Sequence, residues 1–355
     1  MKRSLTLENI RKLDKANMLG LLLDFPLQLR QAKEIADVVK ILFAKRDFQK
    51  IVFTGLGGSA IGADLVRSYL YFESRLPMIV LREYDLPACI DSGTLVFVSS
   101  YSGNTEETLS AYRQAKEKGA TIIAVSSGGV LEESALKDKV TFISIPKDSP
   151  PRCALGYMSI IPLCVLANLG LVKDASSSIS QAAAFLEDLR KSLKPQTGVK
   201  DNPAKYIAAK LFNKFPVIYS SSIHFDVAAT RLKGQLAENA KALGSSHVFP
   251  EMNHNEIVGW QNPKKLFKNF IVLLLRDKAV NPRVNKRMEI TKDILRKEGV
   301  EVLEVWSRGE GLLSRMFSLI YIGDFISYYL AILYGIDPTP VERVTYLKNQ
   351  LAQSR

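Results

Sequence analysis

Five short apolar runs, at 51–54, 78–81, 94–98, 121–125 and 141–145, alternate with segments of helical periodicity near 60–70, 106–118 and 131–136. No other feature of the chain limits its fold as much. Runs this short and this apolar, with few polar positions, read as strands covered on both sides. Helices between them supply the crossovers that parallel pairing requires, so the pattern predicts an α/β, doubly wound parallel sheet.

The alternation stops at Asp148-Ser-Pro-Pro-Arg152 and resumes later. A strand at 217–220 ending in serines, a helix at 226–243, a strand at 270–275, a helix at 283–298 and a strand at 300–305 repeat the style of the first half. Helices follow at 312–334, then a terminal helix ending at Lys348. The expected division is a helical segment at 1–48, a first α/β unit at 49–150, connecting helices and linker at 151–203, and a second α/β unit with C-terminal helices at 204–355. In the first segment Leu19, Leu22 and Leu23, then, past a break at Pro26, Ala32, Ile35, Val38, Val39 and Leu42 recur at helical spacing. They predict a cover for the first sheet. The segment is poor in turn-separated helices for a DNA-binding module.

Two apolar stretches approach the roughly 20 residues that span a bilayer. One, at 154–172, has no charge but contains Pro162, Asn168 and two glycines; the other, at 316–336, carries Asp324. Both are expected to be buried helices, and no membrane partner is expected. The N-terminus turns polar where a signal peptide needs its apolar core. The net charge of +12 suits an anionic ligand, yet Lys and Arg are interleaved with Asp and Glu along the chain, which reads as solvated surface and not as a nucleic-acid interface. Three cysteines, Cys89, Cys153 and Cys164, show no CxxC pairing, which points to the cytoplasm.

The chemistry begins at Ser99-Ser-Tyr-Ser-Gly-Asn-Thr-Glu-Glu-Thr108, between the third strand and its helix. Backbone N–H groups and the helix dipole converge at such a turn, and hydroxyls add donors without charge, so Ser100, Ser102 and Thr105 are candidate phosphate ligands. Asn104 with Glu107 also fits a capping box, which would make Asn104 an ordinary helix cap. The turn after the first strand, Gly55-Leu-Gly57-Gly58-Ser59-Ala60-Ile-Gly62, fits G-x-G-x-x-A, and Glu83 stands where a ribose-binding acid would. Alone it would suit a dinucleotide. A dinucleotide does not need the hydroxyl loop two strands on, whereas a phosphomonoester gripped from several sides does, with Gly57, Gly58 and Ser59 on one flank. No GK[ST] follows the glycines, which argues against a nucleoside triphosphatase.

GLGGSAIG followed by SYSGNTEET resembles a sugar isomerase (SIS) domain. Pro150-Pro-Arg152, Gly234-Gln-Leu-Ala-Glu238-Asn-Ala-Lys241 and Pro250-Glu-Met-Asn-His254-Asn-Glu256 resemble the bifunctional phosphoglucose/phosphomannose isomerases of archaea and some bacteria. The resemblance runs from about residue 15 to the C-terminus. It implies two SIS-type, flavodoxin-like doubly wound subdomains with flanking helices. It also implies a homodimer with shared active sites, and a metal-independent, cofactor-free isomerisation of hexose 6-phosphates.

Moving a proton between adjacent carbons through an enediolate needs a base, a cation by the enediolate oxygen, an acid/base for ring opening and a phosphate anchor. Glu238 lies in a helix among Leu236, Ala237 and Ala240, where a surface glutamate is commonplace; the resemblance makes it the base. Arg152 follows two prolines that stiffen its approach and would hold a guanidinium over the enediolate. His254 sits in a polar turn, and by resemblance opens the sugar ring from a neighbouring subunit. Lys348 matches a C-terminal lysine that assists at the ring oxygen. A threonine that helps admit mannose phosphate could be Thr339 or Thr345. Two other readings remain open: a metal site of His247, Glu251, His254 and Glu256, and a non-catalytic sugar-phosphate sensor.

Overall fold

Helices α1 (Leu7–Leu13), α2 (Met18–Leu23) and α3 (Phe25–Asp37) open the chain in the computed structural model, which describes residues 4–44, 47–147 and 149–353. Asp148, the first residue of the pattern-breaking turn, and the N-terminal Met1–Arg3 lie outside the described residues. Pro26 does not break a helix. It stands in the first turn of α3, where its missing N–H costs nothing. The helix is shorter than its apolar periodicity suggested: it ends at Asp37, and Val38 (82% exposed) and Leu42 (53%) are left in solvent.

Strands β1 (Lys50–Thr54), β2 (Met78–Leu81), β3 (Thr94–Ser99), β4 (Thr121–Ser126) and β5 (Thr141–Ser144) form one parallel sheet in the order β2-β1-β3-β4-β5. Every position of β3 and β4 is buried, as their uninterrupted apolar runs required. The crossovers are α4 (Gly58–Tyr69), α5 (Glu106–Glu117) and α6 (Gly129–Lys137). On one face Val96, Val98, Ile122 and Ala124 pack with Ala111, Tyr112 and Leu131 of the helices. A 3-10 turn, Pro151–Cys153, leads into α7 (Leu155–Asn168), which packs on α3 and α4 and is buried along almost its whole length despite Pro162.

Beyond α8 (Ser176–Leu193) and α9 (Pro203–Leu211) comes a second parallel sheet in the order β7-β6-β8-β9. Its strands are β6 (Phe215–Ser221), β7 (Ser245–Phe249), β8 (Phe270–Arg276) and β9 (Glu301–Trp306), with α10 (Asp226–Ala240), α11 (Glu256–Gly259) and α12 (Pro282–Lys297) between them. The sequence reading passed over β7. Its residues Ser245-Ser-His-Val-Phe carry no apolar run because it is an edge strand, half-buried at its first four positions.

The described chain divides into two compact units. One comprises 24–187 with 309–315; the other takes the chain up to Leu23, 188–308 and 316 onward. The N-terminal helices therefore part company. Only α3 joins the first sheet, while α1 and α2 belong with the second, through Tyr321 Oη donating to Leu22 O (2.9 Å) and Tyr328 Oη to Asp14 Oδ2 (3.0 Å). Both tyrosines lie on α13 (Leu312–Tyr334), which by length and composition could cross a membrane, yet its most apolar stretch is entirely buried in the protein. Its one acid, Asp324, is 2% exposed and receives Arg231 Nε (2.9 Å), Arg231 Nη2 (2.8 Å) and Gln235 Nε2 (3.0 Å) from α10. The last helix, α14 (Glu342–Gln353), buries no residue.

Candidate active site

In the first sheet β1 connects outward to β2 while β3 lies on its other side, so the chain switches direction between β1 and β3. A crevice opens at such a point beyond the strands' carboxyl ends, and it is where ligands of this architecture bind. Gly57, Gly58 and Ser59 stand on one wall of it and Ser100, Ser102 and Thr105 on the other.

Ser100 Oγ donates to Thr105 Oγ1 (2.9 Å), leaving the threonine's own proton for another acceptor. Thr105 occupies the N-cap of α5, yet its side chain does not cap the helix. Ser100 is buried, Thr105 half-buried and Ser102 exposed, a gradient from wall to solvent. The capping-box reading of Asn104 fails. Its Oδ1 instead accepts from Val130 N (3.0 Å), satisfying the first turn of α6 across the loop.

Two glycines hold these loops in place. A Cβ on Gly58 would lie 2.5 Å from Pro151 O and 3.2 Å from Arg152 Cα, so the glycine loop touches the turn that carries Arg152. Gly103 has φ +71°, and a Cβ there would come within 1.7 Å of Gly128 O, which locks the loops after β3 and β4 together. Arg152, 3% exposed, thus reaches the same end of the sheet as the hydroxyl loop. The sequence reading did not use the loop after β4, whose Ser127 N (3.0 Å) and Ser127 Oγ (2.7 Å) donate to Tyr101 O and brace the hydroxyl loop. The run Ser126-Ser-Gly-Gly129 after β4 repeats the strand–serine–glycine style that had marked the earlier loop, and that was the available signal.

The remaining candidates belong to the other unit. Glu238 lies half-buried in the last turn of α10, whose C-terminus is capped by Lys241 in left-handed conformation (φ 53°), its Nζ donating to Glu238 O (2.9 Å), Asn239 O (3.3 Å), Asp337 O and Pro338 O (both 3.2 Å). His254 is exposed at the end of a 3-10 turn, Glu251–His254, which follows β7 and a cis Phe249–Pro250 bond. Since α10 runs back antiparallel to β6, Glu238 lies toward the amino end of β7 and His254 beyond its carboxyl end. About 16 Å of strand separates those ends at ~3.3 Å per residue. Within one chain this unit does not bring the two candidates, Glu238 and His254, together. Lys348 is exposed on α14.

The proposed metal set does not assemble. Glu256 accepts from Tyr219 Oη and pairs with His247 Nδ1 (2.8 Å), and Trp260 Nε1 donates to Tyr219 Oη (2.9 Å). Burial, then the neighbouring Glu256 carboxylate, hold the Tyr219 phenol protonated well above its ordinary range. Among the described residues no three His, Cys, Asp or Glu side chains converge.

Residues 42–138 match the SIS domain, and 200–351 match the bacterial phospho-glucose isomerase C-terminal SIS domain. The chain is 47% identical over 331 residues to a bifunctional phosphoglucose/phosphomannose isomerase of Caldicellulosiruptor bescii, covering 93% of this chain and 97% of that one. The chain belongs to the bifunctional phosphoglucose/phosphomannose isomerase family. An Aquifex aeolicus protein of the same family name is 37% identical over 86% of this chain and 91% of its own length. Among solved structures, a hypothetical protein from Thermus thermophilus superposes with a TM-score of 0.78 at 16% identity, over 98% of this chain and 94% of that one. That likeness concerns the fold, and the family's two SIS domains are the two parallel sheets described above.

Proposed function

We propose that the protein interconverts glucose 6-phosphate, and mannose 6-phosphate as well, with fructose 6-phosphate through an enediolate. The observation that carries the reading is the convergence, at the β1–β3 crevice, of a hydroxyl loop, a helix N-terminus without a side-chain cap and the buried Arg152. Such a site grips a dianionic phosphate with neutral donors and keeps a guanidinium for charge that develops during reaction. In this reading Gly57, Gly58, Ser59, Ser100, Ser102 and Thr105 hold the phosphate and Arg152 stabilises the enediolate. Glu238 carries the proton between C1 and C2, His254 opens and closes the ring, and Lys348 assists at the ring oxygen. Neither metal nor cofactor is invoked.

The separation of Glu238 from His254 along β7 supports a homodimer in which His254 enters the partner's site. The face of α14, where Val344, Leu347 and Leu351 are 46%, 58% and 47% exposed at helical spacing, suits a second copy. The threonine that helps admit mannose phosphate is Thr339 or Thr345, the latter donating within its own helix to Val341 O (3.4 Å). The cytoplasm is the proposed compartment.

The test is a coupled assay of glucose 6-phosphate and mannose 6-phosphate against fructose 6-phosphate, with and without EDTA. Turnover of both aldoses, unaffected by the chelator, is expected. Loss of activity with EDTA would move the chemistry to a metal, and tight sugar-phosphate binding without turnover would make the protein a sensor.

A further inference from the structure

Tyr101 sits inside the hydroxyl loop, but its phenol leaves that loop. Its Oη accepts from Ser149 N (3.0 Å) and shares a hydrogen bond with Ser149 Oγ (2.9 Å). Its backbone is pinned from another side, with the carbonyl receiving Ser127 N (3.0 Å) and Ser127 Oγ (2.7 Å). The residue is 8% exposed and joins the segments that follow β3, β4 and β5. A filler aromatic would not need its hydroxyl paired twice with one distant residue.

Only Pro150 and Pro151 lie between Ser149 and Arg152. Proline locks φ near −65°, so two in succession form a stiff spacer. Fixing Ser149 therefore fixes where the guanidinium begins its reach. The far side of the spacer is closed by Gly58 against Pro151, and Cys153 N donates to Pro150 O (2.8 Å) within the turn.

We propose that Tyr101 is a positioning residue for Arg152: its hydroxyl tethers Ser149, and the two prolines carry that placement to the cation that stabilises the enediolate. The proposal rests on the role given to Arg152 above. It separates two functions within one loop. Ser100, Ser102 and Thr105 act on the phosphate, while Tyr101 acts on the reacting end of the substrate through another residue. Phosphate grip and transition-state charge are thus aligned by one covalent segment.

Tyr101→Phe removes a single oxygen. It is expected to lower kcat for glucose 6-phosphate about tenfold, the loss of one to two hydrogen bonds' worth of placement. KM and the inhibition constant of inorganic phosphate should stay within about twofold, which also reports that the site is folded. On an Arg152→Lys background, itself expected to be impaired, Tyr101→Phe should add less than about twofold, because coupled residues do not add. Ser149→Ala combined with Tyr101→Phe should be no worse than Tyr101→Phe alone.

An unchanged kcat in Tyr101→Phe overturns the proposal, as does a rise in KM and phosphate inhibition constant with kcat intact, which would return Tyr101 to the phosphate cradle. A full tenfold effect repeated on Arg152→Lys overturns the route through Arg152 while leaving that residue's own role standing. Near wild-type kcat in Arg152→Lys alone removes the Arg152 reading, and the tether with it.

Discussion

At the scale of single residues, the hydroxyls of the β3 loop differ in what they can give a ligand. Thr105 accepts from Ser100 and keeps its own proton to donate, and Ser102 is open to solvent with its oxygen taking Asn104 N at 3.3 Å. Thr105→Val and Ser102→Ala should each raise KM about 10–100-fold with a smaller change in kcat, the cost of one hydrogen bond to a charged acceptor. Competition by inorganic phosphate measures it; unchanged inhibition would remove the residue from the cradle. Glu238→Gln should instead abolish exchange of the C2 proton with solvent while sugar-phosphate affinity stays within a few fold. Near wild-type turnover would falsify Glu238 as the base. The hydroxyl loop stands out in the sequence because serines and threonines at a strand-to-helix turn suit a phosphate, whereas Glu238 is a commonplace helix glutamate that only the family resemblance singles out. Tyr101 does not stand out, since a tyrosine in a serine loop gives no sign of where its hydroxyl will reach. Asn104 misled for a related reason: Asn-x-x-Glu fits a cap on its own helix, and only the tertiary approach of α6 offered it a competing N–H.

Secondary-structure elements were legible where burial is two-sided. The inner strands β1, β3 and β4 of the first sheet and β6 and β8 of the second announce themselves as apolar runs because neither face meets water, and the edge strands β2, β5 and β9, though half-buried or partly exposed, still carry enough apolar side chains to be read. β7 lies at an edge, where two serines and a histidine are tolerated, so its sequence carries no strand signal. α3 erred in the other direction, its apolar periodicity running past Asp37 to Val38 and Leu42, which stand exposed. Helix pairing was not legible at all. The α10–α13 contact depends on Arg231 meeting Asp324, with side chains 5% and 3% exposed. Replacing Asp324 with Leu would strand a buried guanidinium, so urea unfolding should show a loss of about 3–5 kcal/mol. A loss below about 1 kcal/mol would mean that Arg231 finds another acceptor.

For the molecule as a whole, the proposed homodimer, with each site divided between subunits, makes an arithmetic prediction. Glu238→Gln and His254→Ala proteins, each strongly impaired, should regain activity when unfolded and refolded together. A mixed dimer pairs one intact Glu238 with one intact His254, so random assortment returns about a quarter of wild-type turnover under two-fold symmetry. No recovery, in a sample that light scattering shows to be dimeric, would place both residues in the same chain's site. The exposed apolar face of α14 should become protected from hydrogen exchange in that dimer and stay unprotected in any monomer.

The buried carboxylate of α13 has a further consequence, felt before the protein is folded. This helix leaves the ribosome as 23 residues with the length and greasiness of a bilayer anchor. Asp324 stands next to its midpoint, the depth at which an aspartate opposes insertion by the translocon by about 2.5–3.5 kcal/mol. By the time it emerges, α10 has already been synthesised and Arg231 is waiting. The same charge that would be costly in lipid is paired with Arg231 in the folded protein, so burial against α10 gives this helix what a bilayer would not.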